Sequence, residues 1–267
     1  MSAAAYANLK LEKDGPVLRI VLSRPEVRNA FDDVLIEELT RAFHAAAVEP
    51  DVRVVVLSGL GPSFCAGADV AWMRKAGGYT KAENEADAER MAQMLRAIDA
   101  CPRPVVALAH GAAIGGGVGL VAASDIAIAA EGTVFSLAEV KLGILPSVIS
   151  PYVLRAIGPR FARDLFLTGD RFDAREALRI GLVHQVVPEA ELRAAGQRKV
   201  ESLLSSAPEA VGVAKSLIEQ VAGKSPPEAM ALTVKTIAER RASDEAKEGL
   251  TAFLEKRRPA WAPERKA

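Results

Sequence analysis

The sequence predicts an α/β fold whose core of short strands and helices is followed by a mostly helical C-terminal third. Three observations support this prediction. Up to about residue 145, dense β-branched runs alternate with segments whose apolar residues recur at helical spacing. Turns rich in Gly and Pro separate these segments at short intervals. Beyond that point nearly every periodic segment has the spacing of a helix.

The first hundred residues predict three strands and two helices. Two β-like runs flank Asp14-Gly15-Pro16, a tripeptide that suits a hairpin turn. Apolar side chains from Leu35 to Ala46 recur at helical spacing and stop before Pro50. The predicted strands are residues 9–13, 17–22 and 52–58, and a second helix is predicted over residues 82–100.

The remaining elements divide the chain into two regions. Strands are predicted over residues 105–109, 125–129, 134–136 and 183–187. Helices are predicted over residues 147–157, 159–168, 174–180, 189–206, 208–222 and 227–256. We therefore predict a core spanning residues 1–200 and a C-terminal helical region spanning residues 201–267.

Composition excludes several classes of partner and location. Lys and Arg total 34, as do Asp and Glu, so no excess charge attracts nucleic acid or anionic lipid. No run of apolar residues is long enough for a membrane span, and no secretory leader is expected. Cys65 and Cys101 are too few for a disulfide scaffold, and no Cys or His pair has metal-ligand spacing. We expect a cytoplasmic protein without metal or cofactor.

Two loops are rich in small residues that would let a ligand bind to main-chain N–H groups. In residues 64–69, small residues on both sides of Gly67 let a ligand approach the main chain, although an ordinary tight turn has the same composition. In residues 111–119, three consecutive glycines lie between a strand and a helix, and Gly116 presents its N–H at the helix N-terminus. Residues 117–122 also fit the dinucleotide-binding pattern G-x-G-x-x-A. However, the next strand begins near Asp125, too soon for a parallel crossover.

Two backbone donors from separate loops that each follow a strand suit chemistry at a thioester, whose carbonyl oxygen becomes negative when an enolate forms. The sequence lacks the phosphate-binding loop G-x-x-x-x-G-K-[ST] and the serine hydrolase elbow G-x-S-x-G. We therefore expect the two loops to stabilise an enolate.

Several segments in order resemble the crotonase (enoyl-CoA hydratase/isomerase) superfamily. They cover nearly the whole chain and comprise residues 23–30, 64–69, 104–117, 124–126, 167–169, 174–187 and 253–257. The resemblance implies a ββα spiral core, a helical trimerisation region and an assembly that is a trimer or a dimer of trimers. It also implies an acyl-CoA thioester as substrate, with coenzyme A entering as part of that substrate.

The resemblance assigns roles to individual residues. Ala68 and Gly116 would supply the N–H groups of the oxyanion hole. Phe253 and Lys256 match positions that can close over CoA from a neighbouring subunit, although Lys256 is equally consistent with a solvated charge. The residues expected to line the CoA arm are Arg28, Ala30, Ala66, Asp69, Val70 and Ala71.

Glu139 is the candidate acid/base group. The resemblance implies two glutamates, of which the second falls on Glu139 and the first on Gly119, which has no side chain. Apolar neighbours would raise the pKa of Glu139 and suit it to proton transfer, whereas a salt bridge to Lys141 or Arg155 is the structural alternative.

Because the first carboxylate is missing, the sequence does not decide between hydration and isomerisation. A single base is enough for a Δ3,Δ2-enoyl-CoA isomerase, whereas hydration also requires activated water. Residues 116–121 and 146–152 nevertheless resemble hydratases of branched or carboxylated enoyl-CoAs such as 3-methylglutaconyl-CoA. We therefore expect a hydratase, with a weakly catalytic acyl-CoA binding protein as a third alternative. Candidates for activating water are the substrate's own carboxylate, Glu83, Glu85, Asp87 and Glu89.

Overall fold

A mixed six-stranded sheet forms the centre of the computed structural model, which describes residues 6–262. The strand order is β1-β2-β3-β4-β6-β9; β1 is antiparallel to β2, and every other neighbouring pair is parallel. Its strands are β1 (Leu9–Asp14), β2 (Val17–Leu22), β3 (Val54–Gly59), β4 (Val105–Ala109), β6 (Ile126–Ala130) and β9 (Gln185–Val187). A smaller sheet contains β5 (Ala112–Ile114), β7 (Val134–Ser136) and β8 (Arg171–Asp173).

Helices cover the sheet and continue beyond it. The helices that precede β9 are α1 (Asp33–Val48), α2 (Val70–Ala76), α3 (Lys81–Asp99), α4 (Gly116–Ala123), α5 (Ser150–Thr168) and α6 (Ala174–Arg179). Those after it are α7 (Leu192–Leu204), α8 (Pro208–Val221), α9 (Pro226–Ala242) and α10 (Asp244–Leu254). No helix within residues 6–262 is long and apolar enough to cross a membrane.

Both faces of the large sheet are buried, because alternate residues of its central strands belong to two different apolar clusters. In β3, Val55 and Leu57 pack on the face that carries α1, α3 and α4, whereas Val54 and Val56 pack on the opposite face. Helix α7 covers that opposite face, so the predicted boundary after residue 200 falls inside a helix packed on the sheet.

The C-terminal helices α8 to α10 are attached to the core through paired charges. Lys215 of α8 lies 2.8 Å from Asp125, whose carboxylate also accepts a hydrogen bond from the Val105 amide at the start of β4. Arg240 of α9 pairs with Glu209 of α8 and Glu245 of α10, which ties the three helices together. The outer faces of these helices expose large apolar side chains, among them Met230, Val234, Leu250 and Phe253.

Most predicted elements are confirmed, and the errors are one long helix that is divided in two and three short elements that were missed. The predicted break before Pro159 is confirmed, because α5 bends at Gly158, whose φ is 71°. The long helix predicted over residues 227–256 is wrong, because Ser243 ends α9 and caps α10 by accepting a hydrogen bond from the Ala246 amide. The prediction missed α2, β5 and β8, which have at most seven residues each and show no clear periodicity.

Gly111 offers a test of the backbone path that leads from β4 to the glycine-rich loop. Its φ is +62°, and a Cβ at this position would lie 1.9 Å from the Pro62 carbonyl oxygen. We expect Gly111→Ala to lower the free energy of unfolding by about 2–5 kcal/mol, since backbone strain and a steric clash add. Gly132→Ala is the control, because nothing lies within 4 Å of its added methyl group. Equal denaturation midpoints for the two variants would contradict this account.

Candidate active site

The two glycine-containing loops are joined edge to edge. They follow β3 and β4, which are parallel neighbours, so both loops emerge at the same edge of the sheet. The Cys65 amide donates to the Ala112 carbonyl at 3.0 Å, and the Ile114 amide donates back to the Cys65 carbonyl at 3.0 Å. This pair of hydrogen bonds fixes the first loop against β5, directly before the glycine-rich bend.

The first loop is also held from its other side. The Phe31 amide donates to the Gly67 carbonyl at 2.7 Å, and the Asp69 amide donates to the Phe31 carbonyl at 2.8 Å. Ala68 lies between these two contacts. Among the described residues the N–H of Ala68 has no hydrogen-bond partner, although the amides of Phe31 and Asp69 on either side of this bridge both donate hydrogen bonds.

Asp69 anchors the loop to the start of α2. Its carboxylate accepts hydrogen bonds from the amides of Ala71 and Trp72 and lies 3.1 Å from Arg24. Burial opposes ionisation of this carboxyl group, but the two amides and the guanidinium outweigh burial and lower its pKa. Asp69 therefore holds its loop by accepting hydrogen bonds from main-chain N–H groups.

The glycine-rich bend lets α4 begin against the first loop. A Cβ on Gly117 would lie 2.5 Å from the Cys65 carbonyl oxygen, so only glycine fits at this contact. Gly116 is the first residue of α4, and its N–H has no partner in the described part of the chain. The partial positive charge of a helix N-terminus therefore lies at this amide.

Ala68 and Gly116 line a single cavity of ≈ 390 Å³ together with Glu139. Glu139 is the one ionisable side chain on its wall, which is otherwise built mainly from apolar groups. The lining residues are Phe31, Ala66, Gly67, Ala68, Trp72, Met73, Ala88, Met91, Ile114, Gly115, Gly116, Ala138, Glu139, Leu142, Ile144, Leu145, Pro146, Ser147, Val148 and Ile149.

The carboxyl group of Glu139 lies beside the glycine-rich bend. A Cβ built on Gly115 would lie 3.0 Å from Oε1, so the carboxyl group is adjacent to the peptide that carries the Gly116 amide. Oε2 is buried without a hydrogen-bond partner, and burial raises the pKa of Glu139. The alternative salt bridge is wrong: Lys141 pairs with Asp170, and Arg155 pairs with Asp99 and Glu219.

Gly119 marks the place where the sequence resemblance implies another carboxylate. A Cβ at this position would lie 2.4 Å from Cγ2 of Ile149, and the Ile149 side chain is almost fully buried. Ile149 therefore fills the space next to Gly119, and a longer side chain at residue 119 does not fit without movement of residue 149.

The comparisons with known proteins cover almost the whole chain. The model of the family described as "Enoyl-CoA hydratase/isomerase" matches residues 12–264. The chain belongs to the enoyl-CoA hydratase/isomerase family. It is 34% identical to a crotonyl-CoA hydratase of Syntrophomonas wolfei, with 95% of this chain and 97% of that protein covered. A short-chain-enoyl-CoA hydratase of Clostridium acetobutylicum is 32% identical over 94% of this chain and 96% of that protein.

Solved structures show the same fold. An enoyl-CoA hydratase from Shewanella pealeana superposes with a TM-score of 0.93 at 40% identity and 96% coverage of both chains. Pseudomonas aeruginosa AtuE gives a TM-score of 0.92 at 38% identity, with 96% of this chain and 100% of that chain covered. The protein therefore has the α/β crotonase fold with mixed sheets and C-terminal helices, and it is an enzyme of the enoyl-CoA hydratase/isomerase family.

The acidic residues of α3 do not reach the cavity of this family member. This helix contributes Ala88 and Met91 to the wall. Each acidic candidate has a partner elsewhere: Glu83 caps the helix with Thr80, Glu85 pairs with Lys81, Asp87 pairs with Arg90, and Glu89 accepts from Gln93. The candidates Glu83, Glu85, Asp87 and Glu89 are therefore wrong as water-activating groups.

Of the residues predicted to line the CoA arm, some lie on the cavity wall or are buried next to it, and others lie on the protein surface. Ala66 belongs to the wall, and its amide donates to the carbonyl of Arg28, which is exposed. Ala30 is buried beside the lining residue Phe31, and Asp69 is buried at the helix cap. Val70 and Ala71 are exposed directly after them. Phe253 and Lys256 are exposed at the end of α10 and do not line the cavity of their own subunit.

The remaining reactive side chains have structural roles. Cys65 is fully buried, and burial raises the pKa of its thiol to about 12, so a reactive thiolate does not form near neutral pH. His110 contacts the Gly61 carbonyl, and His184 accepts a hydrogen bond from the Ala127 amide. The sequence analysis missed Trp72, which lines the cavity from α2. Its position three residues after Asp69, a residue type that often caps helices, could have indicated that it lies in the first turn of a helix beside the loop.

The contact between residues 119 and 149 predicts a coupled pair. Gly119→Ala should lower the free energy of unfolding by about 1–3 kcal/mol, because the added methyl group overpacks against Ile149. In the Ile149→Ala background the same change should be less costly, with a coupling of about 0.5–3 kcal/mol in a double-mutant cycle measured by denaturant unfolding. Additive effects would mean that the two side chains do not compete for space.

The raised pKa of Glu139 predicts a pH-dependent gain in stability for Glu139→Gln. Below the ordinary pKa of 4.5 the carboxyl group is protonated in both the folded and the unfolded state, so its burial costs no stability. As the pH rises above that value, the unfolded chain ionises while burial keeps the folded carboxyl group protonated, so the wild type loses stability until the raised pKa is passed; glutamine avoids this loss. We expect the melting temperature of the variant relative to the wild type to increase as the pH rises from 4.5 through the raised pKa. The exposed Glu131→Gln should show no such trend.

Proposed function

We propose that this protein is an enoyl-CoA hydratase that adds water reversibly across the C2–C3 double bond of a 2-enoyl-CoA. One observation supports the proposal above all. Two main-chain amides and one half-buried carboxyl group, none of the amides nor Oε2 of Glu139 having a hydrogen-bond partner among the described residues, share the wall of an apolar cavity. This arrangement fits a thioester whose oxygen becomes negative while a proton moves at the neighbouring carbon.

Each group has a defined task in the proposed mechanism. The thioester oxygen accepts hydrogen bonds from the amides of Ala68 and Gly116, which stabilise the enolate that forms when water adds to C3. Glu139 takes the proton that leaves this water molecule and delivers it to C2, so that atoms and charge balance. Each oxyanion donor contributes on the order of 10²–10³ in rate.

A single carboxylate is sufficient in this scheme because the same group accepts and returns one proton. The raised pKa of Glu139 supports this use, since the protonated and ionised forms become closer in free energy near neutral pH. Ile149 keeps the side of residue 119 apolar, so we assign no second acid or base to that wall.

The acyl group is proposed to be apolar and branched. The cavity lining includes Leu142, Leu145, Val148 and Ile149, which offer apolar contact. A carboxylated substrate such as 3-methylglutaconyl-CoA would need a counter-charge, and no Lys or Arg of residues 6–262 lines the cavity within one chain. Such a substrate therefore requires a cation from a neighbouring subunit, whereas a branched apolar 2-enoyl-CoA does not.

We propose that coenzyme A runs from the cavity over the surface formed by the first loop. The residues assigned to this path are Arg28, Ala30, Ala66, Asp69, Val70 and Ala71. Phe253 and Lys256 would close over CoA from a neighbouring subunit of a homotrimer or homohexamer. Exposed apolar side chains on α8 to α10 support such an assembly, because large apolar patches mark protein interfaces. The two free thiols fit the cytoplasmic location expected from the sequence.

Isomerisation is the second candidate activity, favoured by the presence of one ionisable side chain on the cavity wall. Glu139 would remove a proton from C2 of a 3-enoyl-CoA and return it at C4, with the same two amides holding the enolate. A weakly catalytic acyl-CoA binding protein is the third alternative. It would bind the thioester without exchanging its C2 protons.

Glu139→Gln tests the proposal. Purified enzyme is given crotonyl-CoA, 3-methylglutaconyl-CoA and a 3-enoyl-CoA in separate reactions, and addition of water is followed by mass. We expect the wild type to hydrate a 2-enoyl-CoA and the variant to lose about 10²–10⁴ in kcat, because the proton no longer has an acceptor. Glu131→Gln is the control and should retain full activity.

Three results would contradict the proposed function. Conversion of the 3-enoyl-CoA without hydration of any 2-enoyl-CoA would identify an isomerase. Binding without turnover or deuterium exchange at C2 would identify a binding protein. Undiminished hydration by Glu139→Gln would remove Glu139 from the mechanism.

A further inference from the structure

The Arg24 side chain lies between the first residues of two helices. Its terminal nitrogen Nη2 is 3.0 Å from Oδ2 of Asp32 and 3.1 Å from Oδ2 of Asp69, and Nη1 donates to the Ala30 carbonyl. The Arg24 side chain is only 14% exposed, so solvent screens these contacts weakly. Within residues 6–262, Arg24 is the one cation that pairs with either carboxylate. One guanidinium group therefore neutralises both acids.

The two carboxylates begin helices that directly follow a pair of bridged residues. Asp32 caps α1 and Asp69 caps α2, each by accepting a hydrogen bond from a main-chain amide of its helix. Phe31 precedes one cap and Ala68 precedes the other, and these two residues form the parallel bridge that holds the first loop. Arg24 thus fastens together the two chain segments on the C-terminal side of this bridge.

The bridge decides the direction of the Ala68 amide. The Gly67 carbonyl accepts a hydrogen bond from the Phe31 amide at 2.7 Å. Because the peptide between Gly67 and Ala68 is trans and planar, the N–H of Ala68 points opposite to that carbonyl, away from Phe31. A movement of residues 67–69 relative to Phe31 therefore shifts or turns this N–H. The placement of the donor thus depends on the segment that contains Asp69.

Loss of the guanidinium group would leave two like charges close together. Both Oδ2 atoms lie within 3.1 Å of the same nitrogen, so the carboxylates of Asp32 and Asp69 are near neighbours. Burial opposes ionisation of Asp69, but two main-chain amides and Arg24 outweigh it and lower the pKa of this carboxyl group. Without a cation between them, the two carboxylates would repel each other and push the caps of α1 and α2 apart.

We propose that Arg24 is a positioning residue for the reaction. This inference rests on the proposed function, in which the Ala68 amide binds the thioester oxygen. The guanidinium group contacts Asp32 and Asp69 at once, together with the Ala30 carbonyl, and so keeps the Ala68 N–H in position for that oxygen. Arg24 does not line the cavity and exchanges no proton, so it acts only through the loop.

Arg24→Gln tests the inference, because glutamine can still form hydrogen bonds but carries no charge. We expect kcat for hydration of crotonyl-CoA to fall by about 10-fold to 10²-fold, since a displaced oxyanion donor loses much of its effect. KM should change by no more than about 3-fold, because this interaction becomes strong chiefly in the transition state.

A second measurement reports on the amide geometry without turnover. Butyryl-CoA has no double bond to hydrate, and with ¹³C at its carbonyl carbon the stretching frequency of the bound carbonyl group can be read by isotope-edited infrared spectroscopy. Hydrogen bonds to the carbonyl oxygen lower this frequency. We expect a downshift for butyryl-CoA bound to the wild type and a smaller downshift for butyryl-CoA bound to Arg24→Gln.

Two further variants separate charge balance from general stability. Asp32→Asn removes one of the repelling charges and retains a side-chain oxygen for the helix cap. Added to Arg24→Gln, it should raise kcat by about 5-fold or more, within the range of coupling between neighbouring residues. Arg155→Gln is the matched control, because Arg155 also joins two carboxylates, Asp99 and Glu219, and does not line the cavity. It should leave both measurements unchanged.

The alternatives give distinct results. A carbonyl downshift in Arg24→Gln equal to that of the wild type would overturn the inference, as would a failure of Asp32→Asn to restore activity. An equal loss of kcat in Arg155→Gln would show a general effect on stability and also overturn it. If Arg24→Gln does not fold, Arg24→Lys is measured instead. Lysine keeps the charge but has one nitrogen in place of Nη1 and Nη2, so wild-type kcat and downshift in that variant would overturn the inference.

The two measurements also separate this inference from the proposed function. A wild type that hydrates no 2-enoyl-CoA refutes the proposed hydratase activity, and this is seen before any variant is compared. The carbonyl downshift requires only binding of butyryl-CoA, so it decides the role of Arg24 independently. Bound butyryl-CoA without a downshift on the wild type would overturn the inference, because the amides would then not contact the oxygen.

Discussion

The hydrogen-bonded joint between Cys65 and the strand Ala112–Ile114 is the constraint on which the rest of the site depends. It locks together two loops that arrive from neighbouring parallel strands. The joint uses the amides of Cys65 and Ile114, whereas the later amides of Ala68 and Gly116 line a shared cavity and have no hydrogen-bond partner within residues 6–262. Gly117 permits the joint, since any side chain there would collide with the Cys65 carbonyl oxygen. The unpaired donors are thus a consequence of the fold rather than of local flexibility.

The apolar wall gives the few polar groups their chemical properties. Burial without a partner raises the pKa of Glu139, and the same low polarity strengthens the pull of fixed amides on a developing negative charge. Asp69 shows the contrasting case, because two amides and Arg24 outweigh its burial and keep it ionised as a structural anchor. Two carboxyl groups of one site therefore differ in role because their hydrogen-bond partners differ.

The wall around residue 119 shows how packing limits the chemistry. Ile149 occupies the space next to Gly119, and α3 presents Ala88 and Met91 to the cavity while its acidic residues pair on the helix surface. Among the described residues, the cavity wall therefore carries one carboxyl group within mainly apolar surroundings. In the mechanism we propose, that single carboxylate moves the proton while two main-chain amides hold the thioester oxygen.

The sequence by itself determined the fold class, most longer strands and helices and the two loops, because these depend on periodicity, glycine spacing and local composition. Its resemblance to the crotonase superfamily pointed to Glu139 as the candidate acid/base group. It also showed that Gly119 departs from a two-carboxylate pattern. Only the tertiary structure decided what fills the place of that carboxylate, which acidic residues of α3 are engaged elsewhere, and that Trp72 lies on the cavity wall. These facts depend on contacts between distant segments, such as residues 119 and 149, and no local pattern records them.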